Sequence, residues 1–122
     1  MMKYNVAILG ASAKPERYSH KAVKLLAEHG YGVFPVHPSG RPIDDIKCYP
    51  SLDAISEKLD TITIYLGQNN STSLIEEIIN AHPRRVILNP GAENDTLASR
   101  CIESGIEVQE ACTLVLLNTG QF

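Results

Sequence analysis

The stretch Val6-Ala7-Ile8-Leu9-Gly10-Ala11-Ser12 decides the fold class. Its first four residues are continuously apolar, which is typical of a strand buried on both faces rather than of an alternating surface strand. Gly10 permits a tight turn directly after the strand, and a helical pattern begins a few residues later. A buried strand, a short loop and a helix in this order predict the first unit of a parallel α/β sheet.

The rest of the chain repeats this alternation of short apolar runs and helical patterns. Further strands are predicted over residues 33–36, 61–66, 85–88 and 106–108, and Pro35 argues against a central position for the second strand. Helix starts are predicted from capping residues, namely Ser19, Ser51, Ser73 with Glu76, and Asn94 or Asp95. The segment 113–117 is apolar, and its pattern does not distinguish a helix from a strand. The pattern predicts one domain over residues 1–122, a Rossmann-like doubly wound parallel α/β sheet of about five strands with helices on both faces.

Composition excludes several classes of protein. With 122 residues, 43% hydrophobic and 20% charged, the chain has enough apolar residues for one core and too little charge for disorder. Its net charge of −3 argues against a general nucleic-acid binder or a polybasic membrane binder. The apolar run at residues 6–9 is too short for a signal peptide. Three cysteines without CxxC spacing suit a reducing compartment, so the predicted location is cytoplasmic.

Ligands of doubly wound sheets bind at the carboxyl ends of the strands, so the loops that begin at Gly10, His37, Gly67 and Asn89 are the candidate site. In the first loop, the small residues Ala11 and Ser12 allow backbone N–H groups to approach a phosphate, and the following helix dipole favours an anion. Basic residues follow at positions 14, 17, 21 and 24, namely Lys14, Arg17, Lys21 and Lys24, against a single acid, Glu16. The first loop therefore predicts a phosphate-bearing ligand.

The dinucleotide fingerprint G-x-G-x-x-G is incomplete in this loop. Ser12 and Pro15 stand at its second and third glycine positions. The acidic residue that holds a ribose is also missing, because the second strand ends in Val36-His37-Pro38. Both absences count against NAD or FAD as the ligand.

Several loops read together carry a more specific resemblance. The quoted segments are Val6 to Ser12, Gly30-Tyr31-Gly32-Val33-Phe34-Pro35-Val36-His37-Pro38, Ile46-Lys47-Cys48-Tyr49-Pro50-Ser51-Leu52, Ile64-Tyr65-Leu66 and Leu88-Asn89-Pro90-Gly91. In order and spacing they resemble the CoA-binding domain family, which is similar to the N-terminal CoA-binding domain of the succinyl-CoA synthetase alpha subunit. The resemblance covers essentially the whole chain and implies coenzyme A or an acyl-CoA as the small-molecule ligand.

The resemblance also implies which residues contact that ligand. They are Gly10, Ala11 and Ser12 for the phosphates, His37 and Pro38 beside the nucleotide, Leu66, Gly67 and Gln68 along the CoA groove, and Asn89, Pro90 and Gly91 in the fourth loop. Pro38 is expected to provide an apolar wall for adenine, and the amides of Gln68 and Asn89 to meet the pantetheine arm. The family often has Asn-Pro-Lys where this chain has His37-Pro38-Ser39, so the lysine's phosphate contact is lost unless Arg41 or Lys14 replaces it.

No residue is identified as catalytic or metal-binding. The four histidines lack metal-ligand spacing and are predicted at the surface or at helix ends, with His37 alone near the ligand. Cys112 has no histidine beside it in the sequence to act as a base, and Cys101 is predicted in the core. The favoured function is a stand-alone CoA-binding protein without its own catalytic centre. Alternatives are a CoA-binding component that acts in trans with a separate acyl-CoA synthetase domain, an NAD(P)-binding protein, and an interaction domain without a ligand.

Overall fold

The computed structural model describes residues 3–122, in which five parallel strands form one sheet. They are β1 (Asn5–Leu9), β2 (Gly32–Val36), β3 (Thr61–Ile64), β4 (Arg85–Leu88) and β5 (Glu107–Glu110). Their order is β2-β1-β3-β4-β5, with Ala7 of β1 opposite Phe34 of β2 and Ile62 of β3. The predicted five-stranded parallel sheet is thus confirmed.

Helices cover both faces of this sheet. They are α1 (Tyr18–Glu28), α2 (Gln68–Thr72), α3 (Ile75–Asn80), α4 (Asp95–Glu103) and α5 (Thr113–Asn118), with a 3-10 turn at Leu52–Ala54. One apolar cluster contains residues of α1 and α5, and the other contains residues of α3, α4 and the 3-10 turn. The fold is therefore doubly wound, as the alternation of strands and helices predicts.

The continuous apolar run of β1 supplies both clusters. Val6 and Ile8 pack on the side of Val23 and Leu26 from α1. Ala7 and Leu9 belong to the opposite cluster, because successive side chains of a strand point to opposite faces. All four of these residues are buried, and complete burial of each larger aliphatic side chain stabilises the fold by about 2 kcal/mol.

Pro35 lies on an edge strand, as its missing N–H requires. The outer side of β2 receives a returning segment of the next loop. Tyr49 donates its N–H to the carbonyl of Pro35 at 2.8 Å, and His37 donates its N–H to the carbonyl of Tyr49 at 3.0 Å. These bonds hold the loop between β2 and the 3-10 turn close to the carboxyl end of the strand.

Two of the predicted helix starts are wrong. Helix α1 begins at Tyr18 after Arg17, and Ser19 is a buried residue inside its first turn. Ser73 follows α2 and donates its hydroxyl to the carbonyl of Asn70 at 2.8 Å, so it does not cap α3. Asn94 is confirmed, since its side-chain oxygen accepts the N–H of Leu97 at 3.1 Å.

Other boundaries differ by a few residues. β3 ends at Ile64 rather than at residue 66, and β5 is shifted towards Glu110. Ser51 precedes the 3-10 turn without a side-chain hydrogen bond to it, and the segment from Thr113 is helical. Among residues 3–122, none of the helices has the length and apolar character needed to span a membrane.

Candidate functional site

The loops after β1, β2 and β3 meet at one edge of the sheet. The chain leaves β1 towards β2 on one side, whereas β3 lies on the other side of β1. Connections that diverge in this way open a crevice at the carboxyl ends of the strands, where doubly wound proteins bind ligands. Three adjoining cavities occupy this crevice in the structure.

Gly10 brings the ends of β1 and β3 into close contact. Its φ of +83° favours glycine, and an added Cβ would lie 2.9 Å from Cδ2 of Leu66 and 3.2 Å from the carbonyl carbon of Tyr65. Gly10 and Ala11 both donate their N–H groups to the carbonyl of Val36 at 3.2 Å. These two N–H groups therefore attach the loop to β2, which corrects the expectation that Ala11 offers its N–H to a phosphate.

Free donors of the first loop include the backbone N–H groups of Ser12 and Ala13. Within residues 3–122, neither of their backbone N–H groups has a protein acceptor. The Ser12 hydroxyl accepts the N–H of Lys14 at 3.1 Å, and the Ser12 carbonyl lies 2.9 Å from Nδ1 of His20. His20 is buried in the first turn of α1, one of the predicted helix-end positions, and its contact holds the loop in place.

A cavity of about 730 Å³ lies over the first loop and the start of α1, and we call it the first-loop cavity. Its lining includes the two cations Lys14 and Arg17, together with Glu16. Lys24 does not line this cavity, and its ammonium pairs with Asp44 at 2.9 Å. Of the four basic residues predicted near a phosphate, two therefore line this cavity.

Tyr65, which directly follows β3, lines the first-loop cavity. Its hydroxyl is buried and has no hydrogen-bond partner in the described residues. Burial raises the pKa of Tyr65 to about 12, so the phenol stays protonated near neutral pH.

A second cavity of about 260 Å³ lies between the loops after β1 and β2, and we call it the cationic cavity. Lys14 and Arg41 both line it, and neither forms an ion pair within residues 3–122. The loop that carries Arg41 is held by Ser39, which donates its N–H to Nδ1 of His37 at 3.1 Å and accepts the N–H of Arg41 at 3.3 Å. Two cations beside one small cavity favour an anion there.

Cys48 forms part of the wall of the cationic cavity. Burial raises the pKa of this thiol, which disfavours the thiolate and reduces its reactivity.

The third cavity has a volume of about 400 Å³, and we call it the apolar cavity. Its apolar lining consists of Leu9, Val36, Pro38, Pro50, Leu52, Leu66 and Leu74. Polar side chains reach it from α2, α3 and the residues between them, namely Asn70, Ser73 and Glu77. Pro38 and Leu66 lie where the sequence predicts them, whereas the helical residues were not predicted. They belong to two different helices and the turn between them, so no single helical pattern in the sequence identifies them.

Gly67 and Gln68 are exposed and line none of the three cavities. Gly67 precedes α2, and the carbonyl of Gln68 accepts hydrogen bonds from Asn94 and Thr72. The predicted contact between the Gln68 amide and a ligand therefore stays a prediction.

Asn89 has a structural role, which corrects its expected role as a ligand partner. Its side chain is 1% exposed and donates to the Thr63 hydroxyl at 2.6 Å and to the Ile64 carbonyl at 2.9 Å. Its oxygen accepts the N–H of Thr113 at 2.9 Å. The amide thus joins the ends of β3, β4 and α5 and has no donor left for a ligand. The neighbouring Pro90 and Gly91 are exposed and lie outside the three cavities.

Residues 3–122 contain no cluster of three or more histidine, cysteine, aspartate or glutamate side chains suited to a metal ion. The cysteines in this part of the chain are free thiols, and Cys101 is buried in the core as predicted.

Comparison with known proteins identifies the fold's family. The sequence model of the CoA binding domain matches residues 4–118 of this chain. The chain belongs to the CoA-binding domain family. The resemblance predicted from the loop sequences is thereby confirmed.

The individual relatives of this CoA-binding domain carry less functional information than the family model does. A crystal structure of an uncharacterized protein is 36% identical, with a TM-score of 0.92, and the match covers 100% of this chain and 99% of the other. The uncharacterized protein YneT of Bacillus subtilis is 27% identical over 61% of this chain, and the match spans 55% of its length. A dinucleotide-forming acetyl-coenzyme A synthetase of Ca. Korarchaeum cryptofilum is 21% identical with a TM-score of 0.77, covering 88% of this chain and 25% of that one, which shows the shared fold alone.

Proposed function

We propose that this protein binds coenzyme A or an acyl-CoA in the crevice and has no catalytic centre of its own. The observation that carries the proposal is the continuity of the three cavities. The apolar cavity shares Gly10, His37 and Leu66 with the first-loop cavity, and the cationic cavity shares His37 with both. A flat apolar group joined to several phosphates fits this arrangement.

Each part of coenzyme A has matching chemistry in the crevice. The apolar cavity suits the adenine ring, with Pro38 and Leu66 among its walls. The free N–H groups of Ser12 and Ala13, with Lys14 and Arg17, suit the pyrophosphate. The cationic cavity suits the 3′-phosphate, so Lys14 and Arg41 together replace the lysine that the family often has after the second strand.

Two side chains near the crevice support the absence of a catalytic role. Tyr65 and Cys48 both have raised pKa values, so neither is activated as a nucleophile or base. We further propose a cytoplasmic location, in which the free thiols remain reduced.

Titration calorimetry of the purified protein with CoA, acetyl-CoA, dephospho-CoA, NAD and ATP tests the proposed ligand. We expect CoA or acetyl-CoA to bind more tightly than NAD, because the chain lacks the glycine fingerprint and the ribose-binding acid. Tighter binding of NAD than of every CoA form would refute the proposal.

Arg41→Gln tests the 3′-phosphate contact. A charge-assisted hydrogen bond contributes about 1.5 kcal/mol or more, so we expect about tenfold weaker CoA binding, measured by calorimetry. Binding of dephospho-CoA, which lacks this phosphate, should remain unchanged. Lys47→Gln is the matched control, because Lys47 is exposed on the same loop and does not line the cationic cavity. An equal loss of affinity for both ligands in Arg41→Gln would show that Arg41 does not contact the 3′-phosphate.

A further inference from the structure

Glu77 lies at the end of the apolar cavity that is remote from the first loop. The apolar cavity adjoins another cavity, which we call the back cavity, of about 450 Å³, and the two share Leu52 and Glu77. At its other border the apolar cavity shares Gly10, His37 and Leu66 with the first-loop cavity. A ligand with its phosphates at the first loop and a flat ring in the apolar cavity therefore presents the far edge of that ring to Glu77.

The Glu77 carboxylate has no basic partner. Within residues 3–122, no lysine, arginine or histidine nitrogen lies within 4.0 Å of it. Partial burial raises the pKa of the Glu77 carboxyl, and the nearby Asp53 carboxylate raises it further. The carboxylate therefore lines the apolar cavity without a cation beside it, and it can accept a further hydrogen bond from a ligand.

The other polar groups near this border do not compensate the charge. Ser73 donates its hydroxyl to the carbonyl of Asn70, so its proton is already used within the protein. Leu52 and Leu74 beside it are apolar, while α2 contributes the Asn70 amide to the same lining. A donor supplied by the ligand would satisfy the carboxylate.

We propose that Glu77 is a specificity-determining residue that accepts a hydrogen bond from the exocyclic amine of a 6-aminopurine, so that the crevice selects adenine over 6-oxopurines. This inference rests on the proposed function, because it requires the purine of the ligand to occupy the apolar cavity. Adenine carries N–H donors at position 6, whereas hypoxanthine carries a carbonyl oxygen there. An ionised carboxylate only accepts, so it attracts the 6-amino group of adenine and repels the 6-oxygen of hypoxanthine.

The test compares CoA with its hypoxanthine analogue, in which the 6-amino group is replaced by oxygen and all other contacts are retained. Calorimetry should show the wild-type protein binding CoA at least tenfold more tightly than the analogue. In Glu77→Gln, the side-chain amide can also donate to the 6-oxygen, so the preference should fall below about threefold. Glu57→Gln is the matched control, because Glu57 is exposed, lines the back cavity and does not line the apolar cavity.

The outcomes separate this inference from the proposed function. If the wild-type protein binds both forms of CoA equally, the crevice binds CoA but does not recognise position 6, and the inference is wrong. If folded Glu77→Gln keeps the full preference, another residue provides it, and the assignment to Glu77 is wrong. If neither form binds, the proposed function itself fails and the inference fails with it. Equal binding of the two forms by the wild-type protein would refute the inference even if the variant does not fold.

Discussion

Ser12→Glu is expected to abolish CoA binding while the protein remains folded. Ser12 lines both the first-loop cavity and the cationic cavity, and its N–H is one of the free donors of the loop. A carboxylate there would face the phosphates at short range. Two unit charges 4 Å apart repel each other by about 4 kcal/mol at an effective dielectric constant near 20. Even after partial screening by solvent, we expect at least a hundredfold loss of affinity, measured by calorimetry.

Two variants control this experiment. Ser12→Ala removes the hydroxyl without adding charge. Ser99→Glu adds the same charge at an exposed position of α4. Both variants should bind CoA with affinities close to that of the wild-type protein. Circular dichroism and thermal melting check that Ser12→Glu is folded. Unchanged CoA binding by the folded variant would mean that the phosphates do not contact the first loop.

Asn89→Ala is expected to cause the largest loss of stability among the residues first assigned to the site. The substitution leaves the Thr113 N–H buried without its acceptor. It also removes one donor from the Thr63 hydroxyl and one from the Ile64 carbonyl, which keeps only the backbone N–H of residue 89 at 3.3 Å. Each unsatisfied buried group costs about 1–3 kcal/mol, so we expect the free energy of unfolding to fall by about 3 kcal/mol. The melting temperature should fall by roughly 10 °C, which calorimetric melting measures.

The same variant distinguishes a structural amide from a ligand partner. Below its melting temperature, folded Asn89→Ala should bind CoA nearly as well as the wild-type protein, because Asn89 has no donor left for a ligand. Asn69→Ala is the matched control for stability, since Asn69 is exposed in α2 and should change the melting temperature little. A large loss of CoA affinity with little change in stability would restore Asn89 to the binding site.

The strands were predictable from the sequence because a strand buried on both faces is a continuous run of apolar residues. The run Val6-Ala7-Ile8-Leu9 has no alternation, and the structure places its members in two opposite apolar clusters. Helix starts were less predictable. A serine caps a helix only where its own backbone is extended and its side chain can accept a free N–H of the first turn. Ser19 lies one residue inside α1, and Ser73 lies in the short turn that separates α2 from α3.

The site was predictable only where it consists of loops. Ser12, His37, Pro38 and Leu66 follow strands directly, so topology alone places them at the crevice. Glu77 reaches the crevice from α3 through tertiary packing, which no local pattern encodes. Asn89 shows the opposite case, since its loop position was correct but its hydrogen bonds depend on Thr63 and Thr113, which are distant in the sequence.

The two margins of the sheet also restrict how copies of this protein can associate. On β2, Pro35 has no N–H to offer, and Tyr49 already occupies the carbonyl that a visiting strand would need. On β5, Glu107 and Glu110 are exposed, so antiparallel or parallel pairing of two such strands would bring like charges together. Continuous sheets across two molecules are disfavoured at both margins, which protects the protein from edge-to-edge aggregation and leaves its helical surfaces for any specific contact.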